Sequence, residues 1–180
     1  MNKKIDFKRS IITTLSALLL IVCIILISFS FVPKGETSAV PKFNYKLEPN
    51  HIVIPKIELN QLVYEGSSAA ILNKGPGYYD QNTDKPGIGN CVIFGHSAVT
   101  AEHGAPFAKV TDKNLLVGDG IILTDKDNKS YTYQINEIKI IASNDFSVVR
   151  PTDKPTVTLI TCIPPDFPRD TRFVVRGLLK

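Results

Sequence analysis

The side chains able to do chemistry in this chain are few. Three histidines occur, His51, His96 and His103, and two cysteines, Cys91 and Cys162, lie outside the N-terminal apolar run. His96 closes the apolar stretch VIFGH and Cys162 closes the apolar stretch TLITC. Both therefore stand at the C-terminal end of an expected strand, where the chain turns into a loop. Arg172 opens a further apolar stretch, RFVVRG, directly after the proline-rich PPDFPRD. In a barrel, two strand ends can meet at one rim, and a strand that begins after the loop can return to it. A thiolate is a strong nucleophile, and its fraction rises near cations. An imidazole can move a proton to a leaving amine and take one from an incoming amine. A guanidinium can donate hydrogen bonds to a developing oxyanion or to an extended peptide backbone. Together they suit acyl transfer through a thioester.

Taken singly, each residue has an ordinary structural reading. His96 can be a strand-end histidine bonded to a carbonyl, Cys162 a small buried hydrophobe, and Arg172 a surface cation. His51 opens a strand next to the linker and reads as a surface residue, and His103 sits in the polar loop AEHGAP. The order His before Cys excludes a papain-type scaffold, and no Asp or Asn stands in an evident third position, which Arg172 would have to fill. Cys91 and Cys162 could form a disulfide, but Cys91 lies on the strand of His96 and is expected to point into the core, so both thiols are expected to be free. No C-x-x-C or H-x-x-x-H spacing suggests zinc.

The elements that must position these groups are mostly β. HIVIPKI (51–57), NQLVYEG (60–66), NCVIFGH (90–96), GIILTD (120–125), SYTYQINEIKII (130–141), TVTLITC (156–162) and RFVVRGL (172–178) are short, rich in β-branched and aromatic residues, and bounded by turn residues. Lys126–Lys129 reads as a hairpin loop, and alternation in the fifth stretch is imperfect around Glu137. Helical signals are limited to AAIL after Ser67-Ser68 and to PFAKV (106–110). No repeat is visible. The Gly/Pro-rich segment 72–90 reads as a long connection of the kind that often carries function. The expectation is one closed or nearly closed β-barrel.

Composition narrows the partners. The chain has 180 residues, 43% hydrophobic and 21% charged, and a net charge of +4. Lys3, Lys4, Lys8, Arg9 and Asp6 precede the first apolar run, which leaves 17 basic and 16 acidic residues in the rest. The body therefore shows no electrostatic footprint for nucleic acid. Ile11 to Val32 contain no charge and as a helix would span ~33 Å, enough to cross a bilayer. With the basic cluster ahead of it, residues 1–10 are expected in the cytoplasm, 11–32 as a single transmembrane helix, 33–50 as a linker and 51–180 as an extracellular domain. Ser28-Phe29-Ser30 would suit a cleaved signal peptide, but the run is long for one.

These residues resemble the sortases, membrane-anchored cysteine transpeptidases of Gram-positive-type bacteria. TLITC is similar to the family's T-L-x-T-C motif, the GH of VIFGHS to its histidine motif, DTRFVVRG to its arginine strand, and IVIPKIELNQLVYEG (52–66) to its first barrel strands. The likeness covers about residues 51 to 178. It implies an all-β domain, a single closed eight-stranded barrel with short helical turns. It implies a catalytic set of Cys162, His96 and Arg172, with Arg176 as the weaker match for the arginine. It further implies a groove shaped by Thr161, Ala98 and Val99, and cleavage of a Leu-Pro-x-Thr-Gly-like sorting signal between Thr and Gly. The acyl group would pass to an amine, usually on a cell-wall precursor such as peptidoglycan's, and no cofactor or metal is expected. KGPGYYDQNTDKPGIGN and HGAPF look most like class E, with class D and F features. Pilus-building class C members usually carry an Asp-Pro-aromatic lid and a second membrane helix; here only Glu48-Pro49-Asn50 precedes the barrel and the chain ends at Lys180, so pilin polymerisation is not expected. No acid cluster matches the class A calcium site. Two other functions compete: a non-catalytic membrane-tethered β-domain, and an L,D-transpeptidase, whose Ser-x-Gly-Cys-Arg type of motif is missing around Cys162.

Overall fold

The computed structural model describes residues 44–81, 83–97, 105–111, 114–163 and 170–180. The expected cytoplasmic tail, transmembrane helix and most of the linker lie outside these residues, as do Ala98, Val99, His103 and the loop 164–169. Among the described residues no helix is long and apolar enough to cross a membrane.

Eight strands form one sheet: β1 (His51–Ile54), β2 (Leu59–Leu62), β3 (Gly77–Tyr78), β4 (Asn90–Gly95), β5 (Gly120–Thr124), β6 (Ser130–Ala142), β7 (Thr156–Cys162) and β8 (Thr171–Leu179). Their order across the sheet is β2-β1-β5-β6-β8-β7-β4-β3. Seven of these were expected from the residues. The eighth, β3, is too short to show a period of two and lies inside the 72–90 connection. That connection is therefore partly sheet, tied down where Tyr78 pairs with Ile93 and where the Tyr79 amide donates to the Val92 carbonyl.

The sheet curls until its two edges approach, but its closure is slighter than a closed barrel implies. β2 and β3 share no ladder. Their edges meet at a single parallel bridge, Tyr64 to Gly77, with the Tyr64 amide donating to Pro76 O and the Tyr78 amide to Tyr64 O. The reason is close backbone approach: a Cβ on Gly77 would stand 2.0 Å from the carbonyl oxygen of Gly66.

Short 3-10 turns fill the corners: Pro55–Ile57, Ala108–Thr111 and Phe146–Val149. The second falls on the expected PFAKV turn. The one α-helix among the described residues, α1 (Ala69–Leu72), starts at Ser68, whose side chain makes no capping bond. Ser67 instead bonds the Asp80 carboxylate, through its amide at 2.9 Å and its hydroxyl at 3.2 Å. The break in alternation at Glu137 is a register shift of β6 against β8 between Ile135 and Glu137.

β4 and β7 are the parallel pair, in register from Asn90–Thr156 to Gly95–Thr161. Parallel strands buried on both faces read as continuous apolar runs, which is how NCVIFG and TVTLITC look. On one face Cys91, Ile93, Val157, Leu159 and Val175 join the main core with Tyr133 and Phe107. On the other, Val92, Ile160 and Val174 form a second cluster with Val148, and Phe94 packs against it. The segment bearing Val148 is held there by Asn90, fully buried at the start of β4. Its amide nitrogen donates to Val148 O at 2.9 Å and Arg150 O at 2.8 Å, while its oxygen accepts from Thr158 Oγ1 at 2.7 Å.

Because Asn90→Ala removes three hydrogen bonds, two of them buried, to the Val148 carbonyl and from the Thr158 hydroxyl, it is expected to lower the unfolding free energy by about 1–3 kcal/mol. Denaturant unfolding checks this; a change below about 0.5 kcal/mol would show that the network does not hold the segment.

Candidate functional site

The topology gathers the site at one rim. β4 and β7 run in the same direction, so their C-terminal ends lie side by side, and β8 runs opposite to β7, so it begins where β7 ends. Gly95 is the register partner of Thr161, and His96 follows it directly. Cys162 is the register partner of Arg172. Alternation along each strand then puts all three on one face. On β4, Val92 and Phe94 belong to the second cluster, and His96 continues their row. On β7, Ile160 belongs to it, and Cys162 is next; on β8, Val174 does, and Arg172 precedes it.

The three side chains line a single depression of about 200 Å³, with Phe94 and Ile160 beneath them and Leu72 of α1 as a wall. Cys162 is exposed there, while His96 and Arg172 are half-buried. The Nε2 of His96 is out of contact with solvent. The Nη1 of Arg172 donates to the Thr171 carbonyl at 2.7 Å, which fixes part of the guanidinium against the backbone. A thiol, an imidazole and a guanidinium thus stand around one opening over an apolar floor.

Two hydrogen bonds set the spacing between the His96 and Cys162 strand ends. Thr161 Oγ1 donates to Gly95 O at 2.7 Å, and Ser97 Oγ donates to Cys162 O at 2.7 Å. Thr161 borders the depression, but its hydroxyl is turned into the sheet. Sequence reasoning passed over Ser97; its only signal is a hydroxyl residue one place after the strand-end histidine. Gly95 has its own reason. The fully buried ring of Phe107 lies against it, so a Cβ at this position would come within 2.6 Å of that ring. The Phe107 amide donates to His96 O at 2.9 Å, anchoring the same corner.

The remaining candidates are elsewhere. Arg176 pairs in register with Thr158, four residues from the rim; its Nε donates to Thr158 Oγ1 at 3.3 Å, and its guanidinium lies 3.8 Å from Glu137. His51 starts β1 at the other end of the sheet, where its Nδ1 lies 2.9 Å from Pro49 O. Cys91 and Cys162 are both free thiols. Cys91 is buried in the main core, where desolvation, helped by the charge of Asp84, pushes its thiol up to about 12.

Comparison with known proteins gives a consistent family. A sortase-domain family model matches residues 52–180. Sortase A of Listeria monocytogenes is 34% identical over 132 residues, which is 72% of this chain and 55% of that protein. Sortase D of Bacillus subtilis is 27% identical over 127 residues, 69% of this chain and 60% of that protein. The matches thus span little more than half the length of these curated relatives. The solved structure of Listeria monocytogenes sortase A superposes with a TM-score of 0.63 at 28% identity, covering 75% of this chain and 88% of that one. A Clostridium perfringens sortase D5 transpeptidase gives 0.62 at 29%, covering 77% and 91%.

Two substitutions test the corner that carries the histidine. Gly95→Ala forces a methyl into the Phe107 ring and is expected to cost about 1–3 kcal/mol of stability, measured by denaturant unfolding. Ser97→Ala removes one hydrogen bond and is expected to cost about 0.5–1.5 kcal/mol. In the second variant, amide hydrogen exchange is expected to quicken at Cys162 and Ile163 but not at Leu159; uniform or unchanged exchange would mean that Ser97 does not tie the two ends.

Proposed function

The chain belongs to the sortase family, and from that premise we propose that it is a cysteine transpeptidase acting through a thioester on Cys162. The observation that carries the reading is the shared depression of His96, Cys162 and Arg172, which follows from strand register and not from loop placement.

Cys162 gives its thiol proton to His96, and its sulfur adds to a peptide carbonyl, whose oxygen takes the negative charge. Arg172, cross-strand from Cys162, donates to that oxyanion. The tetrahedral adduct collapses, the C–N bond breaks, and protonated His96 delivers its proton to the departing amine. An incoming amine then adds to the thioester carbonyl, His96 takes its proton, and the sulfur leaves. One peptide bond is exchanged for another with no redox change. Each of the two helpers is worth a large factor: about 10²–10⁴ for a positioned acid–base group and about 10²–10³ for one oxyanion donor.

The substrate in this reading is a Leu-Pro-x-Thr-Gly-like sorting signal on surface proteins, cut between Thr and Gly. The apolar lining of Phe94, Ile160 and Leu72 suits an extended peptide with an aliphatic residue. The acceptor is a cell-wall or surface amine such as that of a peptidoglycan precursor. Thr161, Ala98 and Val99 are the substrate-binding residues of this reading, carried over from the family likeness. Residues 11–32 anchor the chain in the cell membrane, with the N-terminus cytoplasmic and residues 51–180 outside. The relatives carry class A and D names, so they fix the family and not the class; class E remains part of the proposal, on the segments 74–90 and 103–107.

The test is cleavage of a Leu-Pro-x-Thr-Gly peptide with an added amine. Cys162→Ala is expected to abolish it with the circular dichroism spectrum intact. His96→Ala and Arg172→Ala are expected to lower kcat/KM about 10²–10³-fold, whereas Arg176→Ala leaves it within about threefold, as expected for a residue outside the site. Full activity of the Cys162 variant would end the reading and favour a non-catalytic β-domain.

A further inference from the structure

A second pocket, of about 390 Å³, lies at the other end of the sheet. Its walls include the 83–88 loop and the turn between β5 and β6. That end is where β4 and β7 begin, at the Asn90–Thr156 pair. The seven residues of β7 separate it from Cys162, about 20 Å at the strand rise. It is no part of the rim described above, and its volume is within the range of small-molecule sites.

The pocket holds acceptors that the protein leaves open. The Tyr78 ring is built into the main core and the residue is only 7% exposed. Its hydroxyl nonetheless makes no hydrogen bond among the described residues, and the residue lines the pocket. Burial pushes this phenol up, so it stays protonated and neutral. Asp84 uses Oδ2 to accept from the Asn90 amide at 2.8 Å and leaves Oδ1 open. Glu65 has neither an ion pair nor a hydrogen bond among the described residues. Asp125, by contrast, is fully engaged: it accepts from the amides of Asp127 and Lys129 and from the Tyr131 hydroxyl. Lys126 is turned to Asp127, at 3.0 Å. Four carboxylates and two ammonium groups line the pocket in all, so its field is negative. Ile88, 62% exposed, gives it an apolar rim beside Pro86.

We propose that this pocket is a binding site for a primary ammonium group on a short aliphatic stem, such as a lysyl side chain of a peptide. An ammonium carries three donors and no acceptor. The Tyr78 oxygen, Glu65 and the free oxygen of Asp84 supply three acceptors, and Ile88 and Pro86 cover the stem. A divalent metal fits less well, because no three His, Cys, Asp or Glu side chains converge among the described residues and a neutral phenol is a poor ligand. The site stands whether or not Cys162 is a nucleophile.

The experiment titrates the full-length, nitrogen-15-labelled chain with Nα-acetyl-lysine methylamide and follows its backbone amides by NMR. Saturable shifts are expected at Gly87, Ile88 and 125–129, and none at Cys162. Tyr78→Phe and, separately, Glu65→Gln are each expected to weaken binding about fivefold, the value of one hydrogen bond. Glu65 is exposed, so its substitution leaves the fold intact even if that of Tyr78 does not. Nα-acetyl-norleucine methylamide, which keeps the four-carbon stem and lacks the ammonium group, is expected to give no saturable shifts. Equal response to both probes, shifts spread over every acidic surface, or affinity unchanged in Glu65→Gln would overturn the proposal.

Discussion

The parallel pairing of β4 with β7 is the constraint on which the site depends. Two strands that point the same way end at the same edge, and this alone brings His96 beside Cys162 across a long stretch of intervening chain. The antiparallel partner of β7 must then begin at that edge, and its early residue Arg172 falls opposite the cysteine. A slip of one residue in either pairing would turn the side chains to the opposite face and separate the three groups. The site is thus a property of register before it is a property of side chains.

Burial on both faces holds that register. Leu159 and Ile93 face the main core, and Ile160 and Val92 face the second cluster, so a slipped strand would have to exchange two fitted apolar surfaces. Polar bonds mark the two ends of the pair. At the start, the carbonyl-bound amide of Asn90 meets Thr158; at the finish, Thr161 and Ser97 reach across to the opposite strand. Buried hydrogen bonds are expensive to leave unmade, so they specify alignment more sharply than apolar contact does. The arrangement also explains why two free thiols have different fates. Cys91 lies on β4, which leads into His96, but is buried in the main core, and Cys162 is the exposed thiol at the rim.

Much of this was legible in the residues. NCVIFG and TVTLITC lack a polar face, which is the mark of strands covered on both sides, and Arg172 rather than Arg176 stood at the start of its strand. The uneven alternation at Glu137 was the trace of a bulge. Other parts had no local signal. β3 has two residues; its pairing with β4, and the close approach of the Gly66 backbone that Gly77 allows on its other edge, are long-range facts. Ser97 looks like any loop serine until the β7 end is set beside it. The seam between β2 and β3 rests on one bridge, a detail that strand propensity cannot express.

The two ends of the sheet therefore differ in chemistry: an open thiol over an apolar floor at one, and unfilled acceptors in a negative pocket at the other. In the proposed reaction, register at the first end makes Cys162 the acylated residue. The most direct measurement is peptide mapping by mass spectrometry after incubation with a Leu-Pro-x-Thr-Gly peptide and no amine acceptor. An acyl adduct is expected on Cys162 alone, lost on treatment with hydroxylamine. An adduct on Cys91, or cleavage of the peptide with no covalent species at either cysteine, would contradict it.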